Sequence, residues 1–101
     1  MGVLVRVFLR EDEEIEGSPV YEKVVELLRE KGVPTAVVLR AILGYGTTGE
    51  YHYEGIEALS YGLPVVVEFV TEESMVEEIV EDIGRYVRKG LISMEEARVW
   101  D

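Results

Sequence analysis

The sequence has no cysteine, asparagine or glutamine, and only 1 histidine among its 101 residues. Without cysteine there is no disulfide framework, no thiol nucleophile and no zinc ribbon, and one histidine leaves a single chain short of nitrogen and sulfur metal ligands. The absence of these heat-sensitive side chains, beside abundant glutamate, is typical of heat-adapted proteins. We therefore expect a disulfide-free protein from a thermophile.

Positive charge is also scarce, with 10 Lys+Arg against 21 Asp+Glu and a formal net charge of -11. A surface of this sign repels a phosphate backbone, which excludes electrostatic nucleic-acid binding as the function. The sequence has no apolar run of the roughly 18 residues that span a bilayer, and its N-terminus lacks the features of a signal peptide. We expect no membrane insertion, a cytoplasmic location, and a single domain over residues 1–101 that gains stability by associating with copies of itself.

The first half of the chain reads as strand, acidic turn, helix and strand. Residues 3–10 alternate with the period of two that is typical of a strand. Ser18 is expected to cap a helix that Pro19 opens and that runs to Lys31, where Gly32 ends it. Residues 35–43 are β-branched and apolar, which predicts a second strand.

The second half repeats this order. Residues 65–70 (VVVEFV) carry the strongest strand signal, and residues 71–74 (TEES) are expected to open a helix that Gly90 ends. A short terminal strand is expected around residues 98–100. The order βαββαβ predicts an α+β, ferredoxin-like fold, in which a four-stranded antiparallel sheet has both helices on one face.

This topology predicts that the glycine-containing loop at 44–52 and the basic residues at 88–90 lie at the same end of the sheet, beside Ser18. Small residues, free amides and positive charges at one place suit an anion site. The alternative is that the glycines only make turns and the basic residues only complement a helix end. His52, the single imidazole, lies in this loop and either contacts a ligand or is an inert surface residue.

The sheet face away from the helices is expected to be apolar with a few charges, which is typical of an interface between subunits. Arg6 and Glu68 are expected to be partners across it, unless both are simply solvated. The residues assigned to this face are Leu4, Arg6, Phe8, Arg40, Val66, Glu68 and Val70, of which we expect Arg6, Phe8, Val66 and Glu68 to line the interface.

Residues 38–46 (VLRAILGYG) and 63–70 (LPVVVEFV), followed by a helix with an acidic start, resemble the PII-like signalling proteins. More closely, the whole chain resembles a family of small uncharacterised bacterial and archaeal proteins placed among the PII-like folds. The resemblance implies a homotrimer whose open sheet faces surround a central axis. It also implies a site for an adenine nucleotide (AMP, ADP or ATP) between subunits, at the base of a hairpin.

Carried over to this sequence, the resemblance places Gly44, Tyr45 and Gly46 at the start of that hairpin, and Lys89 and Gly90 beside the phosphates. PII proteins continue with Arg-Gln-Lys-Gly where residues 47–49 here read TTG, which argues against sensing of 2-oxoglutarate. The full set of expected ligand-binding residues is Arg40, Gly44, Tyr45, Gly46, Thr47, Thr48, His52, Arg88, Lys89 and Gly90.

Two function hypotheses follow, and neither includes catalysis, because one histidine and many surface glutamates make no specific catalytic group. The first is a regulatory protein whose nucleotide changes the hairpin and hence its affinity for a protein or transporter. The second is a trimeric protein related to metal-tolerance proteins of the same fold, which holds a divalent cation. The acidic run at residues 11–14 (EDEE) is expected to be solvated, because it lacks the spacing of a dedicated calcium loop.

Overall fold

A four-stranded antiparallel sheet covered by two helices makes up most of the computed structural model, which describes residues 2–45, 51–53, 64–87 and 90–100. The sheet order is β4-β7-β1-β8, which is the ferredoxin-like arrangement that the sequence predicts. The elements are β1 (Gly2–Arg10), β2 (Glu14–Ile15), β3 (Ser18–Pro19), α1 (Val20–Glu30), β4 (Ala36–Arg40), β5 (Leu43–Tyr45), β6 (Tyr51–Tyr53), β7 (Pro64–Glu72), α2 (Glu73–Gly84) and β8 (Leu91–Ala97).

Strands β1 and β7 lie at the centre of the sheet and bury every second side chain against the helices. Branched and aromatic side chains suit this pleated, half-buried surface. Each helix adds three buried apolar residues at helical spacing, so sheet and helices share one hydrophobic core. The largest fully buried side chains are those of Phe69, Leu28, Ile79, Ile83, Val5, Val7, Val20, Val24 and Val67.

Helix α1 ends as predicted but begins differently. Gly32 has a φ of 82° and its N–H donates to the Arg29 carbonyl, while the Val33 N–H reaches the Leu28 carbonyl at 3.0 Å. These two bonds close the helix end, and the left-handed backbone explains the glycine. The prediction that Ser18 caps the helix is wrong: Ser18 lies in β3, opposite Ile15, and α1 has no side-chain cap.

Helix α2 is shorter than predicted. It ends at Gly84, so Arg85 and Gly90 lie outside the helix. Beyond Gly84, the N–H groups of Tyr86 and Val87 both donate to the Ile83 carbonyl and close the last turn. Glycine is a poor helix former, which explains why the chain leaves the helix here although the apolar spacing continues.

Two strand predictions also need correction. The terminal strand is β8, seven residues long and paired with β1, and not residues 98–100. The predicted strand 35–43 ends at Arg40, after which the Ala41 N–H donates to the Pro64 carbonyl at 2.9 Å and β5 starts at Leu43. Both differences concern sheet edges, where one side of a strand stays unpaired and the hydrophobic pattern is weak. No helix among the described residues is long and apolar enough to cross a membrane.

Candidate functional site

The β5–β6 hairpin, the ends of β1 and β4 and the starts of β7 and β8 meet at one end of the sheet, which we call the hairpin end. Arg10, the last residue of β1, lies opposite Pro64, the first residue of β7. Gly44 lies in β5 opposite His52, and a Cβ at Gly44 would be 3.0 Å from the Pro64 side chain. The base of the hairpin is therefore held against the start of β7.

Gly90 lies at the same end, immediately before β8. A Cβ at this position would come within 2.5 Å of the Phe8 carbonyl oxygen and 2.7 Å of the Val87 side chain. The main chain of Gly90 thus approaches β1 more closely than a residue with a Cβ atom could at this position. Gly90 consequently has a structural role, whereas the phosphate contact that the family resemblance implies for it remains a prediction.

Arg40 is the last residue of the edge strand β4 and its side chain is half-exposed. It lies directly opposite Val65, whose side chain is buried beneath the helices. Opposed residues share a face of the sheet, so Arg40 belongs to the helix-covered face and its assignment to the open face is wrong. The apolar residues before it in β4 occupy both faces, so alternation cannot show which face Arg40 takes.

The acidic turn after β1 is not simply solvated, which corrects a second prediction. Glu11 forms an ion pair with Arg40, and Asp12 accepts a hydrogen bond from Arg10 Nη2 at 2.9 Å. The Glu13 N–H closes the turn on the Arg10 carbonyl at 3.2 Å. The turn therefore places carboxylates beside Arg10 and Arg40.

Arg40 and Gly90 share this end of the sheet but lie at opposite edges. With the order β4-β7-β1-β8, three strand spacings separate their strands, which is about 14 Å at 4.8 Å per spacing. This separation is between main chains, and the Arg40 side chain itself extends toward the end of β1, where it meets Glu11. A ligand that uses both residues therefore either spans the end of one sheet or bridges two chains.

The β5–β6 hairpin contains three of the expected ligand-binding residues, namely Gly44, Tyr45 and His52. Tyr45 and His52 contribute backbone to the β5–β6 hairpin, where Tyr45 pairs with Tyr51 and His52 with Gly44. Five further expected residues lie outside the described part of the chain: Gly46, Thr47, Thr48, Arg88 and Lys89.

The open face of the sheet carries the predicted ion pair. Arg6 lies opposite Glu68, and its Nε donates to Glu68 Oε2 at 3.2 Å. Its Nη1 donates to Glu95 Oε1 of β8 at 2.5 Å. Hydrogen bonds from Arg6 to Glu95 and then to Glu68 raise the pKa of the guanidinium above its ordinary value. The pairing is confirmed, whereas the role of this face in a subunit interface remains a prediction.

Apolar side chains surround these charges, so the open face is incompletely covered in a single chain. Val37, opposite Glu68, is 49% exposed, and Leu39, opposite Val66, is 50% exposed. Phe8 and its partner Leu91 in β8 are also exposed. An apolar face with a few paired charges among its residues is typical of a surface that another chain covers.

A groove of about 940 Å³ lies at the opposite end of the sheet, where Thr71, Lys31 and Val99 are among its walls. Lys31 Nζ lies 2.6 Å from Asp82 Oδ2, and this hydrogen bond lowers the pKa of Asp82 and raises that of Lys31. The groove is far from the hairpin end, and none of the expected ligand-binding residues that the structure describes lines it. Within the described ranges, no group of three or more His, Asp or Glu side chains is arranged to hold a metal ion.

Solved structures of PII-like proteins share the fold of this chain. The chain resembles CPII, a nitrogen regulatory PII-like protein from Thiomonas intermedia K12 bound to ADP, AMP and bicarbonate, with a TM-score of 0.70 at 14% identity over 99% of this chain and 93% of that chain. A CPII structure bound to ADP, AMP and acetate gives a TM-score of 0.71 at 13% identity, covering 99% and 89%. The fold is PII-like, as predicted.

Sequence comparison then identifies the family. Residues 2–99 match DUF190, described as "Uncharacterized ACR, COG1993". A UPF0166 protein from Aquifex aeolicus (strain VF5) is 41% identical over 97 residues, covering 95% of this chain and 90% of that protein. UPF0166 protein MJ1524 from Methanocaldococcus jannaschii is 29% identical over 98 residues, covering 96% and 90%. The chain belongs to the DUF190 family.

Proposed function

We propose that this protein is a PII-like regulatory protein that binds an adenine nucleotide between the subunits of a homotrimer, at the hairpin end of the sheet. The observation that carries the proposal is the position of Arg40 and Gly90 at that end but at opposite edges. A closed ring of chains joins two different surfaces of each chain at every interface, and we propose that here these surfaces include the two edges of the sheet. A nucleotide between two chains can then contact Arg40 of one and Gly90 of the next.

The comparisons support the nature of the ligand. CPII proteins, which share this fold along nearly the whole chain, carry ADP and AMP. The resemblance of residues 44–46 to the Gly-aromatic-Gly of PII hairpins supports the same position for the ligand. The net charge of -11 repels a phosphate at long range, so the affinity must come from short-range contacts such as the Arg40 guanidinium.

The open sheet face supports the assembly. Burial of its exposed apolar residues against another subunit would stabilise the assembly. The charged group of Arg6, Glu68 and Glu95 would fix the orientation of the two subunits. We propose that bound nucleotide changes the arrangement of the hairpin and thereby the affinity for a regulated protein or transporter in the cytoplasm. Such regulation requires two hairpin states with unequal affinity for the nucleotide. The relatives in Aquifex aeolicus and Methanocaldococcus jannaschii support the expected heat adaptation.

Isothermal titration calorimetry with ADP, AMP and ATP, combined with light scattering to measure the mass in solution, tests this function. We expect a trimer that binds at least one of these nucleotides, and a large loss of affinity in Arg40→Gln. Arg29→Gln is the matched control, because Arg29 is an exposed arginine of α1, away from the hairpin end. A folded protein that binds none of the three at millimolar concentration overturns the proposal.

A further inference from the structure

The ion pair between Arg40 and Glu11 joins residues 29 positions apart in the sequence. Arg40 ends β4 at one edge of the sheet, and Glu11 directly follows β1. The Arg40 side chain is 48% exposed, whereas the Glu11 side chain is only 18% exposed. The arginine is therefore accessible to a ligand, but a carboxylate of the protein already occupies part of its hydrogen-bonding edge.

Glu11 is poorly satisfied in this position. Its Oε1 accepts from Arg40, but its Oε2 is buried without a hydrogen-bond partner among the described residues, as is Oε2 of Glu13. A buried carboxylate oxygen without a donor costs free energy, which offsets much of the attraction in the pair. Exchange of Glu11 for another anion consequently costs less free energy than the loss of a fully hydrogen-bonded ion pair would cost.

We infer that Glu11 is an internal competitor for Arg40, which the phosphate of the incoming nucleotide must displace; this rests on the function proposed above. A phosphate carries more charge than a carboxylate and satisfies the same planar donors. When it binds, the Glu11 side chain is released toward water, where both of its oxygens are hydrated. An anion must therefore bind Arg40 more strongly than Glu11 does, so that weakly binding anions do not occupy this arginine.

The test measures the affinity for ADP and for adenosine in wild type, Glu11→Gln, Glu11→Ala and a control, Glu14→Gln. Glu14 lies in the same acidic run, is exposed, and forms no ion pair among the residues that the structure describes. We expect both Glu11 variants to bind ADP about five- to tenfold more tightly than wild type, a coupling of ordinary size between two interacting sites. Adenosine, which lacks phosphate, should bind all four proteins alike.

The Arg40→Gln background completes the experiment as a double-mutant cycle. In that background, Glu11→Gln should no longer change the affinity for ADP, because the arginine for which Glu11 and the phosphate compete is absent. If wild type binds ADP and the Glu11 variants bind it no more tightly than Glu14→Gln does, the competition is overturned while the nucleotide function stands. If neither wild type nor the folded Glu11 variants bind ADP, AMP or ATP, the nucleotide function fails and the competition with it.

Discussion

Arg6 of β1 lies directly opposite Glu68 of β7, and its guanidinium connects Glu68 to Glu95 of β8. One arginine therefore joins three strands on the face of the sheet that the helices leave open. It carries one positive charge beside two carboxylates, within an otherwise apolar surface. A change of charge at Arg6 is consequently the most direct test of whether this face is buried between subunits.

Reversing the charge at Arg6 should dissociate the proposed trimer. Arg6→Glu would place three carboxylates together on a face that we propose is buried between subunits, and like charges cannot be desolvated together at low cost. Light scattering should give a trimer for wild type and for the control Arg29→Glu, and a monomer for Arg6→Glu. A wild-type monomer, or an intact Arg6→Glu trimer, contradicts the assignment of this face.

Trp100 offers a spectroscopic measure of the same assembly. It is the only tryptophan of the sequence, and its side chain is 98% exposed in the single chain. If a neighbouring subunit covers it in the proposed trimer, tryptophan emission of the wild-type protein should be shifted to the blue. The Arg6→Glu monomer should emit like tryptophan in water. Equal emission maxima in both proteins would show that Trp100 lies outside the interface.

Two glycines predict opposite effects of the same substitution. Gly90→Ala should destabilise the fold by about 1–3 kcal/mol, because its Cβ would collide with the Phe8 carbonyl and the strands must shift. Gly84 has open space around its Cβ position and ends α2. Gly84→Ala should stabilise the fold by about 0.5–1 kcal/mol through helix propensity. Chemical denaturation measures the free energy of unfolding of both variants. An unchanged free energy in Gly90→Ala would contradict the close approach of Gly90 to β1.

The Lys31–Asp82 pair predicts a pH dependence of stability. Because Lys31 lowers the pKa of Asp82 on folding, the pair contributes stability that is fully present above the unfolded value of about 3.9. That stability is lost as the pH falls through the lowered value in the folded protein. The unfolding temperature of wild type should therefore be higher than that of Asp82→Asn at pH 7. The difference between the two temperatures should disappear in strong acid.

At alkaline pH the stability that the same pair contributes falls as the pH rises, opposite to its behaviour in acid. Asp82 raises the pKa of Lys31 on folding, so this contribution is complete below the unfolded value of about 10.4. It disappears as the pH rises through the raised value. Glu81→Gln is the control, because Glu81 is an exposed neighbour with no ion pair in the described ranges. A pH-independent difference between wild type and Asp82→Asn would show that the pair has no coupled titration.

Much of the fold could be predicted because its signals are local. Alternation in β1 and β7 identified the buried face of each strand, and Gly32 marked the end of α1. The same alternation placed Arg6 and Glu68 on one face, and the order of elements made their strands neighbours. These inferences need only the period of a strand or helix and the sterics of glycine.

The sequence by itself thus determined the element order, the core and the central ion pair. Only the tertiary structure decided that Arg40 lies on the helix-covered face and pairs with Glu11, that β8 starts at Leu91, and that Gly90 touches β1. An edge strand with apolar residues on both faces carries no periodic signal of its own, and its register comes from its neighbour. Contacts between residues far apart in the chain depend on that register, which no local pattern contains.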